Sequence, residues 1–291
     1  MGSFIVNTKT MAVELLFGAE DPFRVEKWYP LLKDHTFETL FVNISNSECA
    51  AIARWFELCT FIKQTVRFVS SVDDKQFIKN LTSDTPPVSP EELQLIRSVK
   101  DRLDDAIKSF GESGAFVKLS TRSPKDSALD SMKMRELVYQ ELTTPDSIHD
   151  ARDDKEWERK ACIAFVRASC RCLRVTSGDE AMELMTSSRR VFEDVSRIKL
   201  QMGAEEDFQL RVAVRKWDPT VEQEWEFRCF CYDGVMRSCT QYYSLAFVPS
   251  MYQNRDRLAQ LIVDYHDRVV RPLIASTIPN YTVDFAVQPD L

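Results

Sequence analysis

Glycine is scarce in this chain, seven among 291 residues, and neither G-x-G-x-x-G nor G-x-x-x-x-G-K-S/T occurs in it. That excludes the glycine loops through which dinucleotide-binding and P-loop proteins bring their backbone against phosphate. Histidine is scarcer still, with only His35, His149 and His266, which weakens any histidine-centred metal or nucleophile site. Eight cysteines in a chain of this length are too sparse for a disulfide framework. The pairs Cys170/Cys172 and Cys229/Cys231 fall in apolar runs where strand alternation turns both thiols to one face, so they read as reduced, buried, strand-borne cysteines rather than a zinc site. No apolar run approaches the eighteen residues of a membrane span, and the opening "MGSFIVNTKTMAVELLFG" lacks the pattern of a secretory signal. The expected setting is cytoplasmic, away from membranes. Nor is there a basic excess: 38 Lys and Arg against 45 Asp and Glu give a net charge of -7. A general nucleic-acid binder needs a basic face, and only local basic clusters are present, enough for a small anion.

What is abundant is core material, 44% hydrophobic, sufficient for one large domain or two smaller ones. Trp28-Tyr29-Pro30 in "WYPLLKDHTFETLFV" reads as a turn ahead of a strand from about residue 36 to 43. Such exposed aromatics beside proline are candidates for a partner surface, although core packing is their commoner use. A helix is expected near residues 47–57, followed by "SSVDD" and a loop rich in Ser, Thr, Asp and Pro. Ser89 then supplies an N-cap, Pro90 the first helical position and Glu92 a capping box. Apolar residues from Leu93 to Phe110 at spacings of three and four give that helix one buried face, until Gly111 and Gly114 end it. Further helices are expected over 131–142, around 179–186 and over 254–270, the last disturbed by Pro272. The state of the charged segment 188–200 stays open.

Four predicted strands carry charges where apolar residues belong. In Ala115–Leu119, Lys118 shares a face with Phe116. "RVAVRKW" puts Arg211, Ala213, Arg215 and Trp217 on one face, and "EWEFRCFCYDGV" puts Glu226, Arg228 and Phe230 opposite Trp225, Phe227, Cys229 and Cys231. Asp233-Gly234 marks a hairpin turn back along residues 235–243. In "YTVDFAV", Asp284 lies between Val283 and Phe285. The fold class is therefore mixed α+β with mainly antiparallel sheet. Cations on strands with a carboxylate on another strand suit a nucleotide triphosphate and magnesium; ion pairs across a sheet, such as Glu226 with Arg215, account for the same pattern.

"WYPLLKDHTFETLFV", the segment "FVKLSTRSPKDS" with its K-L-x-x-x-S/A-P-K/R-D pattern, "VRKW" followed nine residues later by "EFRCF", and a late "VDF" together resemble the cell division cycle protein 123 family. The resemblance runs over nearly the whole chain. It implies an ATP-grasp fold, two α+β lobes with antiparallel sheets and flanking helices, holding ATP and Mg2+. On this reading 1–291 is a single domain without its last strand. Residues 1–110 form an N-terminal partner-binding and helical region, 111–214 a nucleotide-binding lobe and 215–291 a C-terminal metal-binding lobe.

The resemblance implies that Lys118 meets the nucleotide phosphates, with Ser120, Ser123, Lys125 and Asp126 in the same segment. It sets Arg215, Lys216 and Trp217 beside the adenine, Arg228 at the nucleotide, and Asp284 as a magnesium ligand. Trp28, Tyr29 and Pro30 become the partner surface. Three departures stand out. Lys118-Leu119-Ser120-Thr121 replaces the family's K-L-N-W, Thr240-Gln241-Tyr242-Tyr243 replaces S-Q-R-D, and the closing D-F-N-P strand expected after Asp284 is absent from the sequence up to Leu291. The implied role is ATP-dependent assembly of eukaryotic translation initiation factor 2 through its gamma subunit. Alternatives are an ATP-grasp ligase joining a carboxylate to an amine through an acyl phosphate, or a divergent scaffold with weak nucleotide binding.

Overall fold

In the computed structural model, residues 5–9, 21–69, 88–127, 129, 131–144, 151–201 and 210–288 are described. The elements in chain order begin β1 (Ile5–Lys9), α1 (Val25–Leu32), β2 (Thr39–Ile44), α2 (Asn46–Val69), α3 (Pro90–Lys108), β3 (Ala115–Leu119), α4 (Met132–Thr143), α5 (Asp154–Arg171) and β4 (Arg174–Val175). They continue α6 (Gly178–Ser187), α7 (Arg189–Gln201), β5 (Leu210–Lys216), β6 (Glu226–Tyr232), β7 (Val235–Gln241), α8 (Pro249–Gln253), α9 (Arg255–Tyr265), α10 (Arg271–Ile274) and β8 (Tyr281–Ala286). "SSVDD" and most of the proline-containing loop ahead of Ser89 lie outside the described residues.

Two units emerge, and neither is a continuous stretch of chain: Met1–Thr39, Ala128–Arg174 and Arg215–Leu291 make one, and Leu40–Ser127 with Val175–Val214 the other. The segments of the two units interleave along the chain. The first unit holds a four-stranded sheet of order β1-β8-β6-β7, with β8 antiparallel to both β1 and β6, and β6 antiparallel to β7. The second is built on a sheet of order β2-β5-β3-β4. The protein is mixed α+β with antiparallel sheet.

In the second unit α3 starts as its sequence dictates. The Ser89 hydroxyl accepts from the Glu92 N–H at 3.1 Å and the Glu92 carboxylate accepts from the Ser89 N–H at 2.8 Å, a complete capping box. Its inner face buries Val99, Leu103 and Ile107 in a core shared with Ile52, Val117, Leu119, Val191, Val195 and Val212. Gly111 and Gly114 then take positive φ values of 63° and 69°, which glycine adopts without a Cβ penalty. Phe56 of α2 stacks on Phe192 of α7 at 4.5 Å between ring centroids, so the open segment 188–200 is helical because its apolar side has a partner.

In the first unit Trp28, Tyr29 and Pro30 lie inside helix α1 rather than in a turn, and β2 begins at Thr39. Trp28 is fully buried; the packing of its indole outweighs the poor fit of Pro30 to a helix interior. A second correction concerns Cys170 and Cys172, which belong to the end and C-cap of helix α5, not to a strand. The β6–β7 hairpin turns through Asp233 and Gly234, both at positive φ, as the Asp-Gly pair requires. Near Pro272 the expected continuous helix breaks into α9, a π turn over His266–Val270 and α10. Buried His266 there meets the Tyr281 hydroxyl at 2.7 Å and the Cys231 thiol at 3.3 Å through Nε2, and Asp267 at 2.9 Å through Nδ1.

Candidate functional site

The ten nucleotide and metal candidates divide evenly between the units, with Lys118 to Asp126 in the second and Arg215 to Asp284 in the first. In the second unit, β3 is an inner strand that buries Lys118, only 7% exposed, and Ser120, just past its end, is buried entirely. The Ser120 N–H donates to the Arg211 carbonyl at 2.8 Å. Its Oγ is buried and has no hydrogen-bond partner among the described residues, an arrangement that costs about 1–3 kcal/mol when nothing else fills the gap.

The loop that follows is fastened to α7. Asp194, fully buried, accepts from the Thr121 hydroxyl at 2.6 Å and from Arg122 Nε at 2.8 Å. Arg122 also donates to the Arg190 carbonyl and to Glu193, each at 3.1 Å. Burial pulls the Arg122 guanidinium down, but the hydrogen bonds and charges of Asp194 and Glu193 outweigh this and leave it above its ordinary value. Glu193 is held below its ordinary value by the same guanidinium. Asp126 accepts from the Ser188 hydroxyl at 2.6 Å and the Arg190 N–H at 3.3 Å, capping the positive end of α7. Ser123 and Lys125 are partly buried in this loop, whose turn is closed by Ser127 donating to the Pro124 carbonyl.

Thr121 and Asp194 were not among the sequence candidates. Asp194 lies 73 residues beyond Thr121 in the segment whose state was open, and no local pattern links the two.

In the first unit Arg215 is enclosed. It donates to the Thr36 hydroxyl at 2.7 Å, with its guanidinium 4.8 Å from the Phe37 ring centre and 5.8 Å from that of Trp28. Burial lowers it to about 10, against the attraction of Tyr29 and Glu226. Lys216 is exposed and pairs with Glu38 at 3.5 Å; Trp217, partly buried, follows the strand. Of the proposed partner surface, Trp28 is core and Tyr29 is partly buried with its hydroxyl accepting from the Thr39 N–H at 3.0 Å. Only Pro30 is exposed.

Arg228 and Asp284 stand directly opposite on β6 and β8. Arg228 Nε and Nη2 each donate to one carboxylate oxygen at 2.7 Å, the two-pronged geometry that makes this pair strong. Tyr242 covers the guanidinium at 4.3 Å, at a position where the family pattern has arginine. Burial works against the Arg228 charge, but Asp284 more than compensates and raises it. Among the described residues no group of three or more His, Cys, Asp and Glu gathers as metal ligands do. Lys118 and the buried Ser120 hydroxyl therefore fit a phosphate, whereas Asp284, engaged at both oxygens, does not fit magnesium as it stands.

The model of the D123 family matches residues 163–291, which supports the family resemblance carried by the sequence motifs. The fold is similar to that of Cdc123 from Schizosaccharomyces pombe, with a TM-score of 0.52 and 17% identity over 92% of this chain and 79% of that one. The C-terminally truncated form of the same protein gives a TM-score of 0.51 at 17% identity over the same shares of both chains. At that identity the likeness concerns the fold. No curated protein sequence matches the chain.

Proposed function

We propose that this chain is a nucleotide-binding assembly factor of the D123 kind, whose β3 segment holds the phosphates of ATP. The observation that carries the nucleotide reading is the buried Ser120 hydroxyl, without a hydrogen-bond partner among the described residues, just past the end of β3 and two residues from buried Lys118. A phosphate oxygen accepts from the Lys118 ammonium and gives the buried Ser120 hydroxyl the partner it lacks among the described residues. ATP would bring the negative charge; the chain's part is to hold it with Lys118 and Ser120, while Lys125 supplies a second cation from the loop. The fastening of that loop by Thr121, Arg122 and Asp126 fixes where Lys125 sits. The assembly role, on the gamma subunit of eukaryotic translation initiation factor 2, follows from the family resemblance, supported by the D123 match and the Cdc123-like fold. An ATP-grasp fold belongs to the same proposal.

One observation favours a second reading, a scaffold that has given up metal-dependent nucleotide binding: Asp284 is neutralised by Arg228 beneath Tyr242. Calorimetric titration of ATP, with and without magnesium, separates the two. The first reading expects binding in the wild type that Lys118→Ala weakens at least about tenfold, a loss of about 1.4 kcal/mol. No binding in either condition overturns it in favour of the scaffold. Capture of the gamma subunit from a eukaryotic extract tests the assembly role, and failure where an active D123 protein succeeds removes it.

A further inference from the structure

Cys229 and Cys239 face each other in register across the β6–β7 hairpin. Their sulfurs lie 3.0 Å apart, and both are free thiols. Directly opposed residues of antiparallel strands have Cα atoms about 4.5–5.5 Å apart, inside the range of about 4.4–6.8 Å that a disulfide spans. Closure to a bond of about 2.05 Å therefore asks for side-chain rotation, not a new backbone path. The two thiols differ in access, Cys229 being buried and Cys239 exposed on the edge strand. Cys239 also opens into a groove of about 390 Å³ lined by Phe247, Met251, Tyr252 and Arg255, where the Arg255 guanidinium lies 5.0 Å from the Tyr252 ring centre.

We propose that Cys229 and Cys239 form a redox-active dithiol, which closes to a disulfide by exchange with a low-molecular-weight disulfide of the glutathione type entering along this groove. Arg255 offers a cation to the carboxylates of such a reagent. Cys239, as thiolate, attacks one reagent sulfur, the reagent's S–S bond breaks, and the departing thiolate takes up a proton. Cys229 then gives up its proton and attacks the Cys239 sulfur of the mixed disulfide, releasing the second small thiol. The protein loses two electrons and two protons, and the reagent gains them. Cys229 donates its S–H to Cys239, which holds the Cys239 thiol below its ordinary value and raises that of Cys229. The exposed sulfur is thus the first to ionise and attack.

The test is to incubate the folded chain across a series of reduced-to-oxidised glutathione ratios, trap free thiols by alkylation and map the cysteines by peptide mass. The expected result is a Cys229–Cys239 cross-link as the first disulfide to form. Cys229→Ser should retain a glutathionyl group on Cys239, because the resolving thiol is gone, and Cys239→Ser should show an adduct at neither position. Absence of the cross-link in folded wild type at the most oxidising ratio overturns the proposal. So does glutathionylation of Cys239 in Cys229→Ser no faster than at Cys59 or Cys162. The wild-type map needs no variant, so a folding defect in Cys229→Ser leaves the question decidable.

Discussion

The β3 segment and the β6/β8 pair handle buried polarity in opposite ways. On β6 and β8 the acid and the base sit opposite each other and satisfy both carboxylate oxygens. Just past β3 a hydroxyl is buried with no hydrogen-bond partner among the described residues, two residues from a buried lysine. A satisfied pair has little to gain from a ligand, because a newcomer must first displace a good partner. An unsatisfied buried group gains the full value of the bond it lacks. The sequence presents Lys118, Arg228 and Asp284 alike as charges stranded in strands; only the register and the burial separate the structural pair from the segment whose neighbouring hydroxyl has unused bonding capacity.

The comparison breaks most visibly at Arg228. Arg228→Met leaves the Asp284 carboxylate without its cation and is expected to lower unfolding free energy by about 3 kcal/mol, measured by urea denaturation. Adding Asp284→Leu should restore most of that loss, whereas a second decrease would mean the pair does not act as a unit. Next in size, Asp194→Ala removes the acceptor for Thr121 and Arg122 and should cost about 1–3 kcal/mol by the same measurement. It should also raise hydrogen exchange across residues 120–127, where the loop loses its fastening to α7.

Stability should also depend on pH. Burial holds His266 below its ordinary value of 6.5, against the pull of Asp267. The unfolded chain takes up its proton near 6.5 while the folded chain does not, so this contribution to stability is full above that value and declines as pH falls through it. Thermal melts between about pH 7.5 and 5.5 should show the decline, and a shallower slope in His266→Gln assigns it to this residue. Smallest in stability is Ser120→Ala, expected within about 1 kcal/mol of wild type because no hydrogen bond is lost. That variant should nonetheless weaken ATP binding by calorimetry; unchanged affinity would equate β3 with an ordinary core strand.

Elements with local punctuation were legible in the sequence. The Ser89 capping box, the glycines after α3, the Asp-Gly hairpin and the alternation in β3, β6 and β8 each act within a few residues, so their physics is written nearby. Helix α1 was not legible, because the Trp-Tyr-Pro string has the propensity of a turn and only the burial of Trp28 makes it helical. Cys170 and Cys172 misled for a related reason: a short apolar run suits a strand or a buried helix equally. At the site, Lys118 and Asp284 stood out as misplaced charges, and their burial bears out that they lie within strands. Arg228 stood out as well, but its pairing with Asp284 across 56 positions did not, nor did that of Thr121 with Asp194 across 73.

The β6–β7 register steps from Phe230 opposite Ser238 to Cys231 opposite Met236, which leaves Arg237 without a counterpart. That extra residue is a β-bulge on the edge strand of its sheet, and Arg237 is exposed. A flat, apolar edge is a template on which other chains add strand by strand toward insoluble fibres; a local twist carrying a positive charge is a poor one. The bulge therefore protects the chain's colloidal behaviour, and removing it by deletion of Arg237 would favour edge-to-edge aggregation at high concentration.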